Sequence, residues 1–193
     1  MAISRASDSS IQGGLPKFND IWDGRSAVGG MDAIGVVSLS ASAASITFSS
    51  IPQTYTHLQL RCFWVGSVDL TDNYMTFNGV GGTSYVSHYL FADGSSLGAG
   101  TLTGPSGANM GFGKTSSSVT TRTSMSIIDV LDYTNTNKYK TVRGLSGDDA
   151  NGTGRILIQS GLYMSSTTVS SITFTPASGT YSSLCNVALY GVK

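Results

Sequence analysis

The feature that most restricts the fold of this chain is a period of two in hydrophobicity, which runs from residue 34 to the last residue. The pattern is clearest in residues 55–65. Four side chains of this stretch fall on one side of an extended chain and four on the other: Leu58, Leu60, Cys62 and Trp64 against His57, Gln59, Arg61 and Phe63. Such alternation is typical of a β-strand with one buried face.

Turn-forming residues divide the alternating region into short segments. The predicted strands cover residues 34–40, 45–49, 55–65, 73–77, 85–91, 108–112, 124–131, 138–143, 154–160, 169–176 and 183–193. The Gly- and Ser-rich stretches 66–73, 79–84 and 92–107 are predicted to be loops. Many short strands separated by turns indicate an all-β architecture. We therefore predict a jelly-roll-like antiparallel β-sandwich over residues 34–193.

The composition agrees with a fold that has few helices. Ser, Thr and Gly supply 76 of the 193 residues, and the chain contains no Glu. Charged residues make up only 11%, and the formal net charge is zero. A neutral protein with few charges tends to self-associate, which suits a subunit of a permanent assembly. The basic residues are scattered and balanced, so we expect no nucleic-acid binding.

Residues 1–33 differ from the rest because a polar cluster, several Gly residues and Pro16 interrupt them. They also carry apolar side chains that a purely solvated tail would not need. Two interpretations stay open: an extended arm that binds another protein, and a strap over the protein's own core. In the first interpretation, the partner-binding residues are Ile11, Leu15, Phe18, Ile21 and Trp22.

No segment indicates secretion or a membrane span. Residues 1–15 lack the apolar stretch of a signal peptide, and no run reaches the roughly 18 apolar residues of a membrane helix. Both cysteines, Cys62 and Cys185, fall in predicted strands. Whether a disulfide joins them is left open by the sequence.

The residues that usually carry chemistry are scarce. The chain has two histidines, His57 and His88, and no Gly-x-Ser-x-Gly elbow. We expect His57 to hydrogen-bond a neighbouring group within the fold. The loop at residues 148–152 offers aspartate oxygens but no distal bidentate carboxylate for calcium, and it is equally an ordinary turn. We therefore predict no catalytic residues, no cofactor and no metal.

Four segments together resemble a module of the virion structural proteins of tailed bacteriophages. They comprise residues 46–61, with an Ile-Pro bend before His-Leu-Gln-Leu-Arg; Phe77-Asn78-Gly79 followed by Tyr85 and His88; residues 128–142; and the closing hairpin that ends in Leu189-Tyr190-Gly191. The resemblance covers residues 36–193, and residue 163 is Tyr where the module favours Trp.

The resemblance implies a non-enzymatic protein of the virion, assembled in the host cytoplasm. The favoured role is a capsid decoration (cement) protein that forms a homotrimer and whose arm lies across subunits of the major capsid protein. The alternative is a tail-fibre or baseplate module that binds host-surface glycan. In that case the expected glycan-binding residues lie in two stretches: Asn73, Tyr74, Tyr85, His88 and Tyr89. The sequence does not distinguish head from tail.

Overall fold

A computed structural model of the chain describes residues 30–68, 71–103, 108–113, 123–149 and 154–193, with the backbone alone for residues 103 and 108–113. All regular secondary structure within these ranges is β-strand. The twelve strands are β1 (Met31–Ser38), β2 (Ile46–Phe48), β3 (His57–Trp64), β4 (Thr71–Phe77), β5 (Tyr85–Ala92), β6 (Leu97–Thr103), β7 (Ala108–Gly113), β8 (Ser124–Leu131), β9 (Lys140–Asp149), β10 (Gly154–Tyr163), β11 (Ile172–Pro176) and β12 (Asn186–Val192).

The strands form two antiparallel sheets. The large sheet has eight strands in the order β1-β12-β3-β8-β9-β10-β5-β6, and the small sheet has four in the order β2-β11-β4-β7. Buried side chains of both sheets share one hydrophobic core. The predicted all-β antiparallel sandwich is therefore confirmed, with twelve strands in place of the eight of a simple jelly roll.

Strand β3 provides the centre of the core because its even-numbered side chains all point inward. Leu58, Leu60, Cys62 and Trp64 are buried, as the alternation predicts. The Trp64 ring lies 5.1 Å from the ring of Phe174 on the small sheet. Its indole Nε1 donates a hydrogen bond of 2.9 Å to Ser126 Oγ on β8. The buried indole therefore has both an apolar and a polar partner.

A second aromatic cluster fixes the other part of the sandwich. The rings of Tyr85 and Tyr163 stack at 4.8 Å between centroids, and Phe77 of the small sheet packs 5.4 Å from Tyr163. The Tyr85 hydroxyl accepts a hydrogen bond from the Phe77 amide and donates one to the Val80 carbonyl, both of 2.8 Å. Desolvation by burial raises the pKa of Tyr85 to about 12. Tyr85 is therefore a structural residue that ties β5 to the β4 turn.

The prediction of a loop over residues 92–107 is wrong for residues 97–103, which form the edge strand β6. Gly98 and Gly100 lie opposite Phe91 and Tyr89 of β5. A Cβ atom at Gly98 would lie 2.3 Å from the Phe91 ring, and one at Gly100 would lie 2.6 Å from the Tyr89 hydroxyl. The two rings cover the glycines in the way that aromatic residues stabilise edge glycines in sheets. Glycine is favoured here because it leaves room for a neighbour's ring.

The last strand uses a glycine in the same way. Strand β12 lies between β1 and β3, so the two ends of the described chain are neighbours in one sheet. Gly191 pairs with Leu58 and with Asp32. A Cβ atom at Gly191 would lie 2.3 Å from the Tyr55 ring, which occupies the space above it. The Leu-Tyr-Gly ending is therefore a packing site for Tyr55.

Substitution of Gly191 tests this packing. We expect Gly191→Ala to lower the free energy of unfolding by about 1–3 kcal/mol, because the new methyl group would overlap the Tyr55 ring. Urea denaturation followed by tryptophan fluorescence measures the change. Gly30→Ala is the matched control, since a Cβ atom at Gly30 would meet nothing within 4 Å. Equal stability of the two variants would contradict the account.

Candidate functional site

The outer face of the large sheet is the most unusual surface among the described residues. The inner face of this sheet packs on the small sheet, whereas its outer face carries large apolar side chains in solvent. On the six strands from β3 to β6, seven of these side chains are between 46% and 79% exposed: Phe63, Leu90, Leu97, Met125, Leu145, Ile156 and Ile158. Single exposed apolar residues need no explanation, but a contiguous apolar patch indicates an interaction site.

Strand register arranges the outer face into straight rows that run across the sheet. In antiparallel pairs, directly opposed residues point to the same face. The polar row contains, from β3 to β6, one hydrogen-bonding side chain per strand: Gln59, Asp129, Arg143, Ser160, His88 and Thr101. At its end, Gln59 lies opposite Tyr190 of β12. The strand pairing therefore brings together polar residues that are dispersed along the sequence.

Two apolar rows lie next to the polar row. The first apolar row contains one branched aliphatic residue from each of four neighbouring strands: Ile127, Leu145, Ile158 and Leu90. The second apolar row runs from β3 to β6: Phe63, Met125, Gly147, Ile156, Ala92 and Leu97. The outer face is thus a broad apolar band with a polar row along one side.

Two shallow depressions, each of about 750 Å³, lie on this face. One lies over the polar row and the first apolar row, between Asp129 and His88. The other lies over the second apolar row and is bordered by the turn at Asp93. Within the described residues Arg143 forms no ion pair, while Asp129 accepts a hydrogen bond of 3.0 Å from Gln59 Nε2. An apolar band bordered by unpaired charge is suited to contact with a protein.

Besides the alternation of side chains, the sequence contains a second pattern that indicates the apolar outer face. Strands β8 and β10 contain consecutive apolar residues, as in Ile127–Ile128 and Ile156–Leu157–Ile158. Consecutive apolar residues in a strand place apolar side chains on both faces of a sheet. Ile128 and Leu157 enter the core, so their neighbours point outward.

The structure separates the five residues expected to bind glycan. Asn73 and Tyr74 lie on β4 of the small sheet, and the other three lie on β5 of the large sheet. Asn73 is fully buried and accepts a hydrogen bond of 2.9 Å from the Tyr181 hydroxyl. Tyr85 is buried in the core, so a glycan at the surface can reach neither Asn73 nor Tyr85. Tyr89 is half-buried against Phe91.

His88 is the one exposed residue of this set on the outer face, where it belongs to the polar row. It lies directly opposite Ser160, but no hydrogen bond joins their side chains in the described part of the chain. The residues expected to bind a partner through the arm, Ile11, Leu15, Phe18, Ile21 and Trp22, lie outside the described residues.

His57, the first residue of β3, hydrogen-bonds a neighbouring group within the fold, as the sequence predicts. Its Nδ1 accepts a hydrogen bond of 2.9 Å from the Asp132 amide and lies 3.5 Å from Asp132 Oδ1. Lys138 Nζ pairs with the other carboxylate oxygen. The hydrogen bond from Lys138, together with the positive charge of that side chain, lowers the pKa of Asp132. The cluster closes the β8–β9 turn, in which Asp132 has a positive φ of 48°.

The described residues contain no group of three or more His, Cys, Asp or Glu side chains that could hold a metal ion. Asp148 and Asp149 of the proposed turn end β9, and residues 150–153 lie outside the described ranges. No helix in the described ranges is long and apolar enough to cross a bilayer.

Both cysteines are free thiols in the core. Cys185 Sγ donates a hydrogen bond of 2.8 Å to the Val65 carbonyl and accepts one of 3.0 Å from the Val65 amide. Burial raises the pKa of Cys62 well above its usual range and raises that of Cys185 as well. A protonated, buried thiol is a poor nucleophile, so these cysteines act as packing residues.

Comparison of the chain with protein-family models, curated proteins and solved structures finds no match in any of the three.

The buried thiols give a prediction about pH. A thiol whose pKa is raised by folding stabilises the native state fully below the unfolded pKa of about 8.5, and this stabilisation is lost as the pH rises toward the folded pKa. We expect the free energy of unfolding to fall between about pH 8 and pH 10, and to fall less steeply in Cys62→Ala. Urea denaturation across this range measures both slopes.

Reactivity with a thiol reagent provides a second readout. Both thiols should react only as fast as the protein unfolds, and two thiols should be counted in denaturant. Rapid labelling of the native protein, or a disulfide detected by mass spectrometry, would contradict the assignment of two buried free thiols.

Proposed function

We propose that this protein is a non-enzymatic structural subunit whose outer sheet face is covered by protein in an assembly. The observation that carries the proposal is the pair of apolar rows on the large sheet. Leaving seven large apolar side chains half exposed is unfavourable for an isolated chain. Covering them removes apolar surface from water, which is the main favourable term in protein association. The zero net charge supports the same role, because electrostatic repulsion between copies is weak.

The proposed assembly is the virion of a tailed bacteriophage, with capsid decoration as the role. The resemblance over residues 36–193 supports this identification, and the β-sandwich fold is compatible with it. In this proposal the predicted arm, residues 1–33, attaches the subunit to the major capsid protein through Ile11, Leu15, Phe18, Ile21 and Trp22. The sandwich supplies the contacts between copies, for which the resemblance implies a homotrimer. No secretion, nucleic acid or cofactor is involved.

A tail-fibre or baseplate module that binds host glycan is the second candidate. The polar row favours it, since four of its six side chains, Asp129, Arg143, Ser160 and His88, line a shallow depression and can donate and accept hydrogen bonds. Sugars also stack on aromatic rings. Among the described residues of the outer face, the rings of Phe63 and Tyr190 lie on β3 and β12, at one end of the rows. The wide aliphatic band is better matched to a protein surface, so decoration stays the favoured proposal.

Copy number in purified particles tests the location. A decoration protein should be present at a stoichiometry comparable with that of the major capsid protein, as measured by quantitative mass spectrometry. A copy number that is a small fraction of this would reject decoration in favour of a tail part. Binding of the isolated protein to a glycan array would also favour the second candidate.

Substitution of the apolar band tests the role of the outer face. We expect Leu145→Asp combined with Ile158→Asp to abolish incorporation into particles, because two carboxylates would enter the contact unpaired. Co-sedimentation of the purified variant with particles that lack the protein measures incorporation. Thr47→Asp, on the exposed face of the small sheet, is the control and should incorporate normally. Normal incorporation of the double variant would overturn the proposal.

A further inference from the structure

We propose that the outer face pairs with the same face of a second copy of this chain. The two copies are related by a two-fold axis that lies between the two faces, runs parallel to the strands and is level with the gap between β8 and β9. This inference rests on the proposed function, in which the face is a protein contact, and it names the partner. Three features of the large sheet support the pairing: the symmetry of the strand order, the charges of the polar row and the area of the face.

The strand order places the proposed axis at the centre of the large sheet. Four strands, β1, β12, β3 and β8, lie on one side, and four, β9, β10, β5 and β6, lie on the other. Rotation by 180° about this axis stacks β8 on β9 of the second copy and β3 on its β10. Such a rotation keeps each row at its own height along the strands. The polar row therefore faces the polar row of the second copy, and each apolar row faces its counterpart.

The charges of the polar row become complementary under this rotation. Asp129 of β8 comes to lie over Arg143 of the second copy, and Arg143 lies over Asp129 of that copy. The two residues are direct neighbours within one chain, yet Arg143 has no ion pair among the described residues. The contact between Asp129 of one copy and Arg143 of the other therefore occurs twice, as a two-fold interface requires. At these two positions each charge comes to lie beside an opposite charge, which offsets its desolvation.

The apolar rows also match across the axis. Ile127 lies over Leu145 of the second copy, and Phe63 lies over its Ile156. Arg61 lies level with the first apolar row and would therefore meet Ile158 of the second copy. Its Nε donates a hydrogen bond of 3.3 Å to Gln59 Oε1, and its guanidinium carbon lies 5.5 Å from the centre of the Tyr190 ring. The charged end therefore turns toward its own chain and leaves the aliphatic stem for the contact.

The area of the face agrees with that of a stable contact. Six strands at a spacing of about 4.8 Å and four rows at about 6.8 Å give a face of about 800 Å² per copy. The fourth row lies beyond the polar row and contains Leu131, Thr141, Leu162 and Val86. A standard protein interface buries about 800 Å² on each partner. Sheets stacked face to face keep their strand directions within about 30° of each other, so the central strands β8 and β9 overlap best. The Asp129–Arg143 pairs lie at this centre.

The pairing joins two copies and leaves the edges of both sandwiches open. If the particle arranges the chain as trimers through these edges, the outer face would then link copies that belong to different trimers. Attachment to the capsid is then left to the predicted arm, residues 1–33.

Charge exchange at the centre of the face tests the pairing in the full-length protein. In solution, away from the particle that is proposed to arrange the trimers, sedimentation equilibrium should show a dimer for the unmodified chain. Arg143→Asp alone, and Asp129→Arg alone, should each raise the dissociation constant at least about tenfold, since like charges would face each other. The double variant with both exchanges should recover the original affinity, because the opposite charges meet again. Thr47→Asp is the control for added negative charge and should leave the dimer unchanged.

Three outcomes overturn the pairing. They are a monomeric chain, an oligomer that withstands both single exchanges, and a double variant that stays as weak as the single ones. Deletion of residues 1–29 tests whether the arm of the same chain covers the outer face instead. A chain that dimerises only after this deletion has its outer face covered by its own arm. A monomer whose incorporation into particles is still abolished by Leu145→Asp and Ile158→Asp rejects the self-pairing but keeps the proposed function.

Discussion

The burial of Trp64 between the two sheets is the contact on which the rest of the structure depends. The ring stacks on Tyr181 at 5.5 Å and packs against Phe174 of the small sheet, while its Nε1 reaches Ser126. Ser126 Oγ in turn bonds to Ser146 Oγ at 2.9 Å. One residue thus joins β3, β8 and β9 of the large sheet to the small sheet. Because every buried polar atom of this chain of contacts has a partner, the strands are fixed in one register.

The fixed register has a direct consequence for the surface. A slip of one residue would exchange the two faces of a strand, so anchoring the inner face also determines the outer one. The four-stranded small sheet packs on the inner side of the eight-stranded large sheet and shares its core. The outer side of the large sheet is left with its apolar band and its polar row. The core contacts therefore create the surface from which both proposals are argued.

The fold separates the residues expected to bind glycan, and two of them are buried. Asn73 and Tyr74 are neighbours in the chain and lie near Tyr85 in the sequence, and Tyr and Asn are common in binding loops, so the sequence groups them. In the fold, β4 and β5 belong to different sheets, and the polar tips of Asn73 and Tyr85 bond to core neighbours. His88, by contrast, joins residues as distant as Gln59 and Ser160 in a single row. Proximity in sequence did not predict proximity on the surface.

The sequence by itself determined the all-β class, most of the strands and the inward side of β3, because side chains alternate between the faces of any extended chain. It did not predict strand β6, since Gly98 and Gly100 have low intrinsic strand propensity and become favourable only under the rings of Phe91 and Tyr89. Nor did it predict the rows of the outer face. Only the tertiary structure decided these, because strand order and register come from pairings between distant segments, such as β12 with β1 and β3.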